Sequence, residues 1–208
     1  MNYISIYNKQ IELTEEQAEA IAVALREWEN AKQEKVQLSD VSAGEVVRIG
    51  EYEFIVLEQM GEKTAVILKN LLVKEMTFGS NNRYNGSNVD KSCCEFAPLI
   101  EAIVGDENLM DHTVDLTADD GLKDYGAIIR RVSSLTAEQY RKYVEILDKY
   151  KPDAWWWLAT PFSTKSHDND LWVKCVSPSG YLGNDRYNNY DGGVRPFCIL
   201  ESTIFASR

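Results

Sequence analysis

The sequence is poor in histidine and cysteine, short of positive charge, and without a long apolar run. Each deficit removes a class of function. The two histidines, His112 and His167, have no second His or Cys at ligand spacing. No metal site is expected from them. His167 in Ser166-His167-Asp168 lacks the G-x-S-x-G elbow of a hydrolase, so no catalytic residue is assigned. The four cysteines, Cys93, Cys94, Cys175 and Cys198, show no C-x2-C spacing. Cys175 and Cys198 each lie in an apolar, strand-like run and are expected as neighbours in a sheet. Buried, reduced thiols are the expectation for such a set.

Lys plus Arg total 22 against 33 Asp plus Glu, a net charge of -11. Such a surface repels phosphate backbones and anionic lipid, so neither nucleic-acid nor membrane-surface binding is expected. No apolar run approaches the roughly 18 residues that span a bilayer, and no membrane insertion is expected. The start, Met1-Asn2-Tyr3-Ile4, lacks a basic region followed by an apolar one. No signal peptide is expected, and synthesis and folding in the cytoplasm follow. Later packaging into a larger particle would need no signal. The acidic pairs Asp119-Asp120 and Asp168-Asn169-Asp170 do not match a calcium loop. No cofactor is expected.

What is present is 44% apolar residues over 208 positions, enough for a packed core. Two parts are predicted. Residues 1–39 read as a hairpin over 3–13, turning at Asn8-Lys9, and an amphipathic helix. Thr14 and Gln17 have capping-box spacing, and Ala18, Ile21, Ala22, Leu25 and Trp28 share a helical face. That helix can dock on the domain or join copies into a homo-oligomer; both readings stay open. Residues 38–41 read as a short polar joint.

Residues 40–208 read as a second domain. Val46–Ile49, Tyr52–Leu57 and Thr64–Leu68 are strands punctuated by Gly50 and Gly61. Residues 79–92 read as a loop and Phe96–Val104 as a short helix. Thr136 and Gln139 cap a helix carrying Tyr140, Tyr143, Val144 and Leu147. Short strands follow at Trp155–Leu158, Leu171–Val176 and Val194–Leu200, the last expected to pair near 46–57. The mixed order predicts an α+β fold, with a twisted, mostly antiparallel sheet and two helices.

Three features carry interpretation. In a strand, Trp156 must oppose Trp155 and Trp157, with core on one face. Arg195, inside an apolar run, is expected to bond a carboxylate or backbone carbonyls, since an unpaired buried charge is costly. Finally, Tyr181, Asn184, Asp185, Arg186, Tyr187, Asn188, Asn189 and Tyr190 crowd before Gly193, and Ser166, His167, Asp168 and Asn169 form a second polar cluster. Turn chemistry accounts for Asn and Asp but not for three tyrosines. Tyr and Asn in this mixture suit a contact surface. These twelve residues are the candidate ligand-binding set.

The segments Trp155-Trp156-Trp157-Leu158-Ala159-Thr160-Pro161, Leu171–Val176, Ser179-Gly180 and Gly193-Val194-Arg195-Pro196-Phe197 resemble a domain family of bacteria and their phages. Its members pair a Trp-Trp-Leu-Arg-Ser-Pro-like segment with a closing Gly-Val-Arg-Pro-Ala-like strand. Val46–Leu68 resembles its opening strands and Val132–Tyr143 its helix entry, so the resemblance spans about residues 40–200. This chain departs from the family at Ala159-Thr160, where many members carry Arg-Ser. The family is similar to the C-type-lectin-like fold of formylglycine-generating enzymes and of diversity-generating retroelement variable proteins. The resemblance implies a binding or display protein of phage or prophage origin, whose C-terminal face takes a protein or glycan ligand. A phage structural or assembly protein on the same fold is the alternative. An enzyme of the formylglycine-generating type would need a cysteine-based copper site, and Cys175 and Cys198 sit in apolar settings.

Overall fold

A computed structural model describes the backbone of all residues except 1, 7, 8, 33 and 34, and the side chains of residues 3, 10–25 and 35–208. The chain divides into two compact units, Met1–Lys35 with Ser207–Arg208, and Val36–Ala206.

In the first unit, β1 (Asn2–Ile6) and β2 (Lys9–Leu13) pair antiparallel, with Ile4 opposite Ile11. The expected turn residue Asn8 lies outside the described residues. Helix α1 (Glu15–Lys32) follows. Its start is a reciprocal cap: Thr14 N–H donates to Gln17 Oε1 at 3.1 Å, and Gln17 N–H to Thr14 Oγ1 at 3.2 Å. Ala18 and Ile21 are half-buried. The side chain of Trp28 lies outside the described residues.

The second unit is α+β and mostly antiparallel. In chain order it runs β3 (Lys35–Gln37), β4 (Val46–Ile49), β5 (Tyr52–Met60), β6 (Lys63–Leu68), β7 (Val73–Met76), α2 (Asn88–Val104), β8 (Leu109–Met110), β9 (His112–Asp115), β10 (Ala127–Arg130), β11 (Val132–Ser133) and α3 (Ala137–Leu147). It continues with β12 (Trp155–Pro161), β13 (Trp172–Val176), β14 (Leu182–Arg186), β15 (Gly192–Val194), β16 (Phe197–Glu201) and β17 (Phe205–Ser207). One eight-stranded sheet has the order β11-β16-β6-β5-β4-β17-β3, with β8 also on β16; a five-stranded sheet has the order β14-β13-β12-β15-β7; β9 and β10 form a separate pair. In the five-stranded sheet, β12 and β15 are parallel.

Adjacent tryptophans lie on opposite faces of β12. Trp157 joins one core cluster, its ring edge-on to Phe78 at 5.7 Å and its Nε1 donating to Met76 O at 2.9 Å. Trp156 joins the other, edge-on to Tyr140 of α3 at 5.9 Å. Both faces of the sheet are therefore core, where the sequence predicted one. Each helix closes one face. On α3, Thr136 and Gln139 form the predicted capping box, and the helix passes into a tight turn before Pro152.

Several expectations are corrected. The joint at 38–41 is not a polar linker: Leu38 and Val41 are buried, and Gln59 Nε2 donates to both their carbonyls at 2.7 Å. Helix α2 begins at Asn88 rather than Phe96, because Ser87 Oγ caps it by accepting Asp90 N–H at 3.0 Å. Val89, Cys93, Phe96 and Ile100 then form its buried stripe. The expected strand Val194–Leu200 is broken. Val194 ends β15 in one sheet, while Phe197 opens β16 in the other. There it pairs with β6, Cys198 opposite Val66, and not with residues 46–57. Cys175 and Cys198 consequently belong to different sheets. Cys93, Cys175 and Cys198 are buried free thiols, but Cys94 is exposed.

Candidate functional site

The C-terminal polar set is mounted on the β13–β14 pair. The register places Trp172 opposite Arg186, Lys174 opposite Asn184 and Cys175 opposite Gly183. Val173, Cys175 and Val176 are buried, so β13 is anchored in the core and fixes the position of β14. Strand β14 is the end strand of its sheet. Of the eight predicted residues on this side, Tyr181, Asn184, Arg186, Asn188, Asn189 and Tyr190 are exposed, with Tyr181 and Tyr190 each at 66%. Asp185 and Tyr187 are half-buried. Tyr187 packs against the core, and its N–H donates to Leu171 O at 3.0 Å while its carbonyl accepts Gly79 N–H at 3.2 Å. It holds the loop down rather than standing free of it.

The half-buried carboxylate of Asp185 organises the turn by accepting Arg186 N–H at 2.7 Å and an Asn189 side-chain N–H. Burial raises its affinity for a proton, and the neighbouring Asp191 adds to that. The Arg186 guanidinium lies 5.8 Å from the Trp172 ring centre. At the other end of β14, a Cβ added to Gly183 would lie 3.1 Å from a Tyr181 ring carbon and 3.4 Å from one of Trp155. The two exposed rings thus flank bare backbone, and Trp155 is the partly exposed member of its triplet.

The second set follows β12. Residues Lys165–His167 form a 3-10 turn whose start is capped by Thr164. Asp168 ends it in the left-handed region, φ 51°, which Asp tolerates better than most residues. Ser166, His167 and Asp168 are exposed and Asn169 is half-buried. This turn is tied to the loop after β9. Ser166 and Thr164 hydroxyls both donate to Asp124 Oδ2 at 2.5 Å, and those donors hold the Asp124 carboxyl below its usual range. Ser163 Oγ donates to Asp120 Oδ2 at 2.6 Å, and His167 Nδ1 lies 3.0 Å from the same oxygen. The Ser163 hydroxyl is the largest cause of the lowered Asp120 carboxyl. Serine and histidine therefore share one carboxylate, which is not the order of a proton relay.

A buried lysine joins the two sets. Lys174 Nζ donates to Asn184 Oδ1 at 2.9 Å and lies 3.2 Å from Asp119 Oδ2. Asp119 also binds Arg141 of α3 at 2.6 Å. Burial pushes the Asp119 carboxyl up, but its Arg141 and Lys174 partners outweigh this and leave it lowered. Asp119 and Arg141 also line a cleft of about 120 Å³ with Asp115, Thr117 and Glu138. Asp119, Asp120, Asp124, Arg141 and Lys174 were not among the predicted site residues. One signal was available for Lys174, a charge inside the apolar run Leu171–Val176, the same pattern that marked Arg195.

Arg195 itself is buried and bonds backbone only: Nε to Leu68 O, and Nη2 to Lys69 O and Tyr150 O, each at 2.9 Å. His112, also buried, meets Ser133 Oγ at 2.9 Å and stands edge-on to Phe197. Among the described residues, no three His, Cys, Asp or Glu side chains group as a metal site would require, and no helix is long and apolar enough to cross a membrane. Compared with known proteins, the chain matches no protein-family model, no curated protein and no solved structure.

Proposed function

We propose that the chain is a ligand-binding protein whose contact surface comprises Ser166, His167, Asp168 and Asn169 with Tyr181, Asn184, Asp185, Arg186, Asn188, Asn189 and Tyr190. Tyr187 serves as its anchor. One observation carries this reading. Asn184 and Arg186 are exposed on β14, and Tyr181, Asn188, Asn189 and Tyr190 are exposed in the segments just before and after it; the partner strand β13 is buried, and Lys174 links β14 to the loop supporting the other set. A preordered support lets side chains contact a partner at small ordering cost, and replaceable loops on a fixed frame are the common arrangement of binding surfaces. The ligand class is a protein or a glycan. The C-type-lectin-like fold, and membership of the retroelement variable proteins, belong to this proposal and rest on the Trp155–Pro161 and Gly193–Phe197 motifs.

The test is genetic and direct. A template repeat beside the gene should differ from the codons for residues 163–191 at adenines, and a reverse transcriptase gene should lie nearby. A neighbourhood with neither, set among phage structural genes, would overturn the variable-protein reading.

A second reading, assembly through the first unit, has its own observation. Helix α1 leaves Val23 and Leu25 exposed, at 46% and 52%. A two-stranded hairpin with one helix buries too little to be stable alone. If this unit joins copies, light scattering should give a multiple of 23.7 kDa that Leu25→Glu reduces to one copy. A wild-type monomer at all concentrations would exclude it.

A further inference from the structure

Strand β14 ends the five-stranded sheet, so one of its edges is paired with β13 and the other is not. In an antiparallel pair, residues alternate between turning both backbone polar groups toward the partner and turning both away. The phase is fixed at the two ends of the β13–β14 pair. Ser177 N–H donates to Tyr181 O, and Tyr187 N–H donates to Leu171 O, each at 3.0 Å. With the register between them, Tyr181, Gly183, Asp185 and Tyr187 turn toward β13. Leu182, Asn184 and Arg186 therefore turn outward. Arg186 is closed off: its N–H donates to Asp185 Oδ1 at 2.7 Å, and its carbonyl accepts Asn189 N–H at 3.0 Å. Among the described residues, nothing takes the N–H or the carbonyl of Leu182 or Asn184. A donor and an acceptor on each of these residues thus stand along the edge at the spacing of an antiparallel strand.

What flanks this edge specifies the occupant. A strand paired there would place its central residue opposite Gly183, in the closer, non-hydrogen-bonded position. The side chain of that residue would lie on the face where Gly183 has none. The rings of Tyr181 and Trp155 come within 3.1 and 3.4 Å of a Cβ at Gly183. Asp185 follows two residues along on the same face, with Asp191 beside it. Among the described residues, neither carboxylate forms a salt bridge. Aromatic rings next to unpaired carboxylates favour a cation, and a planar guanidinium both stacks and pairs. A saccharide can stack on the rings, but it does not repeat donor and acceptor at the period of a strand. A second copy of the chain also has a free β14 edge, but it brings the same carboxylates and a further net charge of -11.

We propose, on the basis of the contact surface described above, that β14 is the docking edge for an extended segment of a partner protein, which joins the sheet as an antiparallel strand with an Arg or Lys opposite Gly183. Backbone bonds to Leu182 and Asn184 supply attachment, and the side chain opposite Gly183 supplies selectivity, the division of labour general to strand addition. The closure of Arg186 by Asp185 and Asn189 ends the edge, which keeps the bound segment short.

The probe is the peptide acetyl-Thr-Val-Arg-Val-Thr-amide, titrated into the isotope-labelled full chain and followed by NMR. Saturable amide shifts should centre on Leu182 and Asn184 and reach the Trp155 indole. Methylating both Val nitrogens removes the donors that meet the Leu182 and Asn184 carbonyls, and should weaken binding by about tenfold or more. Replacing the Arg of the peptide by Glu should cost about as much. Asn184→Ala and Asn184→Pro both lose the side chain, but only Pro loses the outward N–H, a change that edge strands tolerate. The Pro variant should bind the peptide about tenfold more weakly than the Ala variant. A methylated peptide that binds as well as its parent would show contact through side chains alone, overturning the strand while leaving the surface in place. Shifts at Tyr181 and Tyr190 with maltotriose, and none with the peptide, would do the same. A peptide that shifts nothing would overturn the proposal, and a dimer split by Asn184→Pro would assign the edge to a second copy instead. The methylated peptide decides the question even if the Pro variant fails to fold.

Discussion

Lys174 and Asp119 form an ion pair at 3.2 Å between a strand under the candidate surface and a loop beside it, with both side chains at least four-fifths buried. Because a lysine left in this position without its carboxylate stays mostly out of water, the pair has an asymmetric energetic signature. Asp119→Ala should destabilise the protein by about 2–4 kcal/mol, since it strands both Lys174 and one bond of Arg141. Asn184→Ala removes a neutral acceptor at an exposed position and should cost about 1 kcal/mol or less. Urea unfolding of both variants checks the order, and equal losses would show that the pair is not the strut described.

The surface and the core should separate cleanly on substitution. Changing Tyr181, Asn188 and Tyr190 together to Ser touches exposed side chains only and should leave stability within about 1 kcal/mol. Trp156→Ala or Trp157→Ala opens a cavity in one or other core cluster and should cost about 3–5 kcal/mol. If the triple variant unfolds as readily as either tryptophan variant, the segment is part of the core and the binding proposal fails.

A buried histidine contributes to the loss of stability in mild acid. Burial holds His112 down to about 4 from the ordinary 6.5. Between these values the unfolded chain takes up a proton that the folded protein refuses. Stability from this group is therefore fully present above pH 6.5 and is lost as pH falls toward 4, by roughly 3 kcal/mol in total. The lowered carboxyls of Asp115, Asp119, Asp120 and Asp124 lose their contributions too, but at lower pH, as they protonate. His112→Gln should flatten the stability profile between pH 6.5 and 4 while leaving the steeper fall below it. An unchanged slope in that window would show that the ring is not buried neutral.

Thiol reactivity should follow burial. Cys93, Cys175 and Cys198 are buried, and desolvation pushes each thiol up to about 12. Cys94 is the exposed thiol. Under native conditions a maleimide should modify Cys94 first, as read by peptide mass spectrometry, and the other three should react only on unfolding. Prompt native labelling of Cys175 or Cys198 would contradict their place between the sheets.

The capping boxes at Thr14 and Thr136 were legible in the sequence, because each joins residues three apart and needs no distant partner. So were the opposition of Trp156 to Trp157 and the exposure of Tyr181 and Tyr190, which follow from strand alternation and from polar residues between apolar runs. Arg195 was legible as a structural charge, since an apolar neighbourhood leaves few alternatives, but not its three carbonyl partners. What only the tertiary structure decided is which distant segments meet. Two apolar strands look alike to a local reading whether they share a sheet or face each other across a core. A local reading therefore places Cys175 and Cys198 together, although β13 and β16 lie in different sheets. The break between Val194 and Phe197 is invisible locally, because the crossing residues Arg195 and Pro196 are as buried as the strands they join. The support of the candidate surface depends on contacts of the same long range. Asp120 and Asp124 meet Ser163, Thr164 and Ser166 some 40 residues away, and only the folded chain brings those hydroxyls and carboxylates within hydrogen-bonding distance.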